Sequence, residues 1–324
     1  MTTTNSPSSR GHTRHLRSMQ DLTAADLTRV LALAGDMKRE RARFRRALDG
    51  RSIALIFAKQ STRTRISFEV GIHQLGAHAV TLQTGGQTGM QMGRGESVED
   101  TAGVLSRYVD GIVIRTFAQE DVDGLAAAGS VPVVNALTDL YHPCQALADL
   151  MTLVEHRPSL RGTKLTYVGA GNNVAHSLML AGPLAGVDVT IACPESLAPD
   201  VEVVRAARAL AEQHGTAVVV EHDPVAGVAD ADAVYTDTWV SMGEEEEAAR
   251  LKRVLAAFSV DEALFSRAKP DAIFMHCLPA HRGEEVSASV IDGPRSVVFD
   301  QAENRLHVQK AVLVDLIAPA PERA

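Results

Sequence analysis

Two α/β domains, each a parallel sheet flanked by helices, are predicted by three features of this 324-residue chain. Its length exceeds what one core usually serves, since a domain typically takes roughly 150 residues. From about residue 50 onward, short β-branched runs alternate with helical patterns, as strands joined by crossover helices do. A long apolar pattern over 144–156 interrupts the alternation, which then starts again.

Taken in order, 52–57, 79–83, 111–115 and 131–135 read as strands of the first domain, with helices over 64–76, 97–108 and 120–128. Pro132 has no N–H to give a sheet, so the last of these strands begins there or lies at an edge. The second domain is expected to hold strands at 164–168, 188–192, 217–221, 233–236, 272–275 and 296–299. The helix over 144–156 links the two domains. A final helical pattern at 302–318 is expected to pack back on the first domain, so that both helices cross between them. The resulting division is a disordered tail over 1–14, one domain over 15–150 and a second over 151–301.

Composition removes several classes of function. Hydrophobic residues make up 45% and charged ones 22%, the balance of an ordinary folded protein. With 32 basic and 40 acidic residues the net charge is -8, which argues against a nucleic-acid surface. No apolar run approaches the length of about 20 residues needed to cross a bilayer. The first 17 residues lack the apolar core of a secretory signal, and Cys144, Cys193 and Cys277 are too scattered for a disulfide framework. Reduced thiols in a cytoplasmic protein fit these features best.

In open parallel sheets, ligands bind beyond the carboxyl ends of strands, and the unusual motifs fall there. After the strand ending at Phe57 comes Ser61-Thr62-Arg63-Thr64-Arg65, at the start of a helix. Unpaired backbone N–H groups, hydroxyls and guanidinium forks together suit a phosphate dianion. The plain alternative is that Ser61 or Thr62 caps the helix and the arginines are solvated. His142-Pro143-Cys144-Gln145 occupies another strand-to-helix junction, where the imidazole can donate to a carbonyl that becomes an oxyanion. Structural service in the loop is the alternative. Asp237, followed by Ser241-Met242-Gly243, and His276-Cys277-Leu278-Pro279 end two further strands. Asp237 can hold an amino group, and Cys277 either orients an amine or is a buried, inert thiol. Zinc is disfavoured at His276 and Cys277, because adjacent residues seldom ligate one ion without further ligands at suitable spacing. Gly169-Ala-Gly171-Asn172-Asn173-Val174 is a weak dinucleotide fingerprint with Val174 at its third position. It supports a rival reading as an NAD-dependent dehydrogenase.

Together these four motifs, in this order, resemble the carbamoyltransferase family, and the Asn172-Asn173 turn with the Asp237 and His276-Cys277-Leu278-Pro279 loops resembles its ornithine branch. The resemblance runs from about residue 15 to 317; Ala58 stands where the family often has glutamate. It implies that residues 15–150 bind carbamoyl phosphate and 151–301 bind ornithine, with transfer of the carbamoyl group to the ornithine side-chain amine and release of citrulline and phosphate. By the same resemblance, carbamoyl phosphate contacts Ser61, Thr62, Arg63, Thr64, Gln91, Arg115, His142, Gln145, Cys277, Leu278 and Arg305. Gln87 is an alternative to Gln91. Ornithine contacts Asn173, Asp237, Ser241 and Met242, while Arg63, Arg115, His142 and Cys277 serve the chemistry. No metal or organic cofactor is implied. The assembly implied is a homotrimer or a multiple of trimers, and other amines such as putrescine or acetylornithine compete as acceptors.

Overall fold

The computed structural model describes residues 13–59, 61–83, 95–240 and 245–318. Ala24–Arg39 (α1) opens at a reciprocal cap between Thr23 and Asp26 and buries Leu27, Val30, Leu33, Ala34 and Met37 along one stripe. Each of the larger side chains, Leu, Val and Met, taken from water contributes on the order of 2 kcal/mol. This helix is additional to those expected from the sequence.

The first sheet consists of Ser52–Phe57 (β1), His78–Gln83 (β2), Gly111–Arg115 (β3) and Val133–Leu137 (β4), all parallel, in the order β2-β1-β3-β4. Thr62–Gln74 (α2), Val98–Tyr108 (α3) and Gln119–Ala128 (α4) connect its strands. β4 starts two residues later than expected, after Pro132, whose carbonyl still accepts from Ile112 N at 2.8 Å. It is an edge strand, and its outer side pairs with Leu16, which donates to Val133 O at 2.9 Å and accepts from Asn135 N at 2.8 Å. Of the expected tail, residues 1–12 lie outside the described residues.

Pro143–His156 (α5) leads to the second sheet. Its strands are Lys164–Val168 (β5), Asp188–Ala192 (β6), Val218–Glu221 (β7), Ala233–Thr236 (β8) and Ile273–His276 (β9), parallel in the order β7-β6-β5-β8-β9. Asn173–Ala185 (α6), Val201–His214 (α7), Pro224–Val228 (α8), Ala248–Leu255 (α9), Glu262–Phe265 (α10) and Ala288–Ile291 (α11) surround it. Val298–Ile317 (α12) closes the fold, packed on α1, α2, α5 and β9.

One expected strand is not formed. Ser296 makes only an isolated bridge to Phe274, and Val298 and Phe299 already belong to α12, with Gln301 N donating to Val297 O at 2.9 Å. A run of three apolar residues, 297–299, is ambiguous between strand and buried helix end, and here the helix prevails because it buries Val298 against the second core while leaving Phe299 outside. Among the described residues, no helix is long and apolar enough to cross a membrane.

The strand orders locate the ligand crevices. Each sheet winds outward in both directions from a switch point, between β1 and β3 in the first and between β5 and β8 in the second. The segments leaving these four strands diverge there, which leaves space at the carboxyl ends.

Candidate active site

A cavity of about 440 Å³ lies between the two switch points. From the first sheet it is lined by Ser61, Thr62, Arg63, Thr64, Arg115, His142 and Gln145; from the second by Asn173, Asp237, Cys277 and Leu278; and from α12 by Arg305. Gln91, its alternative Gln87, Ser241 and Met242 lie outside the described residues. Twelve of the fifteen expected site residues are therefore described, and all twelve face one space.

The wall nearest α2 is cationic and carries no acid of its own. Ser61 caps the helix by accepting from Thr64 N at 3.1 Å, and the first turn contains no acidic residue, so its N–H groups and dipole face the cavity. Arg65 turns away to Glu69 at 2.9 Å and does not line the cavity. The buried Thr64 hydroxyl accepts from Arg305 Nη2 at 2.7 Å and from Arg115 Nη1 at 3.4 Å. Burial, reinforced by Arg305 and Arg63, brings the Arg115 guanidinium down to about 10. Burial also lowers Arg305. The Nε atoms of both arginines are buried without a hydrogen-bond partner. Groups so placed are costly until an anion arrives.

His142 is the N-cap of α5, fixed by Pro143 at the first helical position and by donation from its own backbone N–H to Ser177 Oγ at 2.7 Å. Its ring is buried, with Nδ1 unpartnered. Desolvation, followed by the charges of Arg305, Arg115 and Arg63, holds it well below the usual histidine range. It is a neutral imidazole near pH 7.

The opposite wall is built around one carboxylate. Asp237, leaving β8, accepts from Cys277 Sγ at 2.9 Å, Asn172 Nδ2 at 3.0 Å and Thr238 N at 2.7 Å. Burial and then Asp237 push the Cys277 thiol well above its ordinary value, so it acts as a protonated donor and not a thiolate. The loop that carries Cys277 is set by His276. Leu278 N donates to His276 Nδ1 at 2.8 Å, which leaves the ring proton on Nε2, facing the buried Glu285 at 3.2 Å. Leu278 has φ of 59° and is joined to Pro279 by a cis peptide bond. The ligating atoms of Asp237, His276 and Cys277 lie within 4.8 Å of one another, but each is already engaged by the bonds just described. Asn173 lines the cavity and donates to Thr138 O at 2.6 Å.

The glycine-rich turn has a different purpose from nucleotide binding. Asn172 caps α6 by accepting from Val174 N at 3.0 Å and Ala175 N at 3.1 Å, so its amide holds both the helix start and Asp237. A Cβ at Gly171 would lie 2.3 Å from Pro199 N, and Gly171 N donates to Leu197 O at 2.8 Å. The 195–199 segment therefore packs directly against the turn at Gly171. The dehydrogenase reading is not favoured by a turn whose groups are spent in this way.

Sequence reasoning did not single out Lys59, Thr238, Val240 or His281, which also line the cavity. Lys59 is paired with Asp139 at 3.0 Å and lies 4.9 Å from the centre of the Phe117 ring. Its position just past β1 was the available signal.

Comparison with known proteins agrees with this geometry. Residues 14–155 match the family model described as aspartate/ornithine carbamoyltransferase, carbamoyl-P binding domain; residues 161–316 match that described as the Asp/Orn binding domain. The chain is 54% identical over 307 residues to an ornithine carbamoyltransferase of Parafrankia, covering 94% of this chain and 96% of the relative. It is 52% identical over 302 residues to one of Thermococcus kodakarensis, covering 93% and 95%. The solved ornithine carbamoyltransferase of Pyrococcus furiosus superposes with a TM-score of 0.89 at 50% identity, covering 94% of this chain and 97% of that one. With both family models matched in tandem over most of its length, the chain belongs to the aspartate/ornithine carbamoyltransferase family.

Proposed function

We propose that this chain transfers the carbamoyl group of carbamoyl phosphate to the side-chain amine of L-ornithine, giving L-citrulline and phosphate. The observation that carries the reading is the pairing of an acid-free guanidinium wall with a carboxylate wall across a single cavity. A dianion and an amino acid are held face to face by such an arrangement.

In this reading residues 15–150, with the returning helix α12, hold carbamoyl phosphate through Ser61, Thr62, Arg63, Thr64, Gln91, Arg115, His142, Gln145 and Arg305. Residues 151–301 hold ornithine through Asn173, Asp237, Ser241 and Met242. The ornithine amine must lose a proton before it attacks. An amine like that of lysine, with a pKa near 10.4, costs about 5 kcal/mol to present neutral at pH 7, and the three arginines reduce this cost by disfavouring another cation. Its lone pair then adds to the carbamoyl carbon. The oxygen that gains charge is met by Arg63, Thr64 and His142, donors whose individual loss typically costs about 3 kcal/mol of barrier. Collapse breaks the carbon–oxygen bond to phosphate, which leaves with the electron pair into the cradle that held it and takes up the proton released by the amine, departing as hydrogen phosphate. Cys277 and the Leu278 carbonyl lie beside the reacting amine.

The cellular setting proposed with it is a cytoplasmic homotrimer, or a multiple of trimers, in arginine metabolism and amino-acid biosynthesis. The Pyrococcus furiosus relative, 51% identical over 302 residues, is described as anabolic. A colorimetric citrulline assay with carbamoyl phosphate and a panel of ornithine, putrescine, acetylornithine and aspartate tests the reaction. Ornithine should react fastest by a wide margin; preference for any other amine overturns the acceptor. Light scattering after size exclusion tests the assembly.

A further inference from the structure

Behind the cavity, Gln145, Asp149 and Gln301 form a dry bridge between α5 and α12; none of the three has any solvent exposure. Gln145 Nε2 donates to Asp149 Oδ1 at 2.8 Å, and Gln301 Nε2 donates to the same oxygen at 2.7 Å. The carbonyl oxygen of Gln145 accepts from Arg305 Nη1 at 2.8 Å, while that of Gln301 accepts from His276 N at 2.8 Å. An amide side chain has no preferred orientation of its own, since oxygen and nitrogen are nearly equal in size. A carboxylate oxygen without a proton can only accept, so it draws both NH2 groups inward and forces both carbonyls outward. One outward carbonyl meets a guanidinium of the phosphate wall. The other meets the backbone at the start of the loop that carries Cys277.

We propose that Asp149 is a positioning residue for the transfer reaction: by fixing the orientation of Gln145 and Gln301 from one oxygen, it holds Arg305 and the His276-Cys277-Leu278 loop in mutual register. This rests on the reading of the cavity as the site of carbamoyl transfer. Burial raises the Asp149 carboxyl to about 7, and because Oδ1 accepts whether or not Oδ2 carries a proton, the geometry holds in both forms. A second rung between the same helices lies further out. Asn304 Nδ2 donates to Thr152 Oγ1 at 3.0 Å and to Glu155 Oε2 at 2.7 Å, and Asn304 Oδ1 accepts from Lys38 at 2.8 Å. That rung does not reach the cavity and serves as a control for helix packing alone.

The test is steady-state kinetics on the full chain, with both substrates varied. Asp149→Leu removes the shared acceptor and should lower kcat/KM by about 100-fold, while Asp149→Asn, which keeps an acceptor oxygen, should recover to within about ten-fold of the original. Asp149→Leu within about three-fold of the original chain, or Asn no better than Leu, overturns the proposal. Gln301→Leu leaves the Asp149, Gln145 and Arg305 arm intact, so it reads the other arm even if Asp149→Leu does not fold. It should raise KM for ornithine by about ten-fold and KM for carbamoyl phosphate by less than about two-fold; equal rises overturn the proposal. Asn304→Leu should give no such split, and the same split there would assign the effect to packing. If the original chain makes no citrulline, the substrate reading fails and not this one. The bridge is then read by calorimetry with inorganic phosphate, whose affinity Asp149→Leu should reduce and Asp149→Asn restore; no change in affinity overturns it.

Discussion

The two walls of the cavity are prepared in opposite ways. Against α2, Arg63, Arg115 and Arg305 crowd a helix N-terminus with no acid among them, and the buried Nε atoms of the latter two have no partner. Around Asp237, by contrast, the protein supplies its own donors from Cys277, Asn172 and the Thr238 backbone. The cationic wall keeps unmet donors for a ligand, and the acidic wall is already satisfied before one arrives. The difference follows from the ligands proposed for each. A phosphate dianion is bound by charge and many donors, so unspent cations raise its affinity. An amino acid must be held without over-stabilising its ammonium form, so a carboxylate partly neutralised by neutral donors is the gentler partner.

Arg63→Ala should break the first wall most severely. We expect a loss of 10²–10³ in kcat, about 3 kcal/mol of barrier, with the circular dichroism spectrum unchanged. Near-normal turnover would remove this wall from the chemistry. Asp237→Asn should weaken ornithine binding by about 2 kcal/mol, or about 30-fold, and carbamoyl phosphate binding far less. Calorimetry showing equal losses for the two ligands would erase the distinction between the walls. Cys277→Ser is expected to stay within about ten-fold of the original kcat/KM, because a hydroxyl can replace the thiol as donor to Asp237. A collapse to background turnover would instead require chemistry specific to sulfur.

The last prediction concerns protons. His142 is held well below its ordinary value in the folded chain, so below a pH of about 6.5 the unfolded chain takes up a proton there while the folded one does not. Its contribution to stability is therefore lost progressively as pH falls through that value, and a thermal melt against pH should show the decline shrink in His142→Asn. Inorganic phosphate, by offsetting Arg305, Arg115 and Arg63, should raise the His142 titration midpoint in an NMR series. An unmoved midpoint would mean that the three arginines do not act on the ring as a set.

Much of this was legible in the chain. Parallel strands buried on both faces have to be written as short apolar runs, which is why β1, β3, β5, β6 and β8 begin and end where the sequence places them. Strand-end loops then mark the groups that line the cavity, since that is where a parallel sheet leaves backbone and side chains unspent. Reading failed where a local pattern served two outcomes. The run at 296–299 suits a strand as well as a helix start, and only the packing of Val298 against the second core decided it. At α1 the signal was present, in Thr23 and Asp26 ahead of a periodic apolar stripe. Asp149 is a different case: an acid within an apolar helix announces a buried partner, but its partners Gln145 and Gln301 are 4 and 152 residues away.

By itself, then, the sequence determined the two parallel sheets, the order of the strand-end motifs and the chemical character of each, because these depend on residues close together along the chain. Only the tertiary structure decided that Arg305 meets Thr64, 241 residues earlier, on the hydroxyl that Arg115 also contacts, that Asn172 serves Asp237 and not a nucleotide, and that one carboxylate oxygen ties the two walls together. Those outcomes depend on how α5 and α12 cross between the sheets, and the free energy that sets the crossing comes from packing contacts summed over distant segments, which no local pattern encodes.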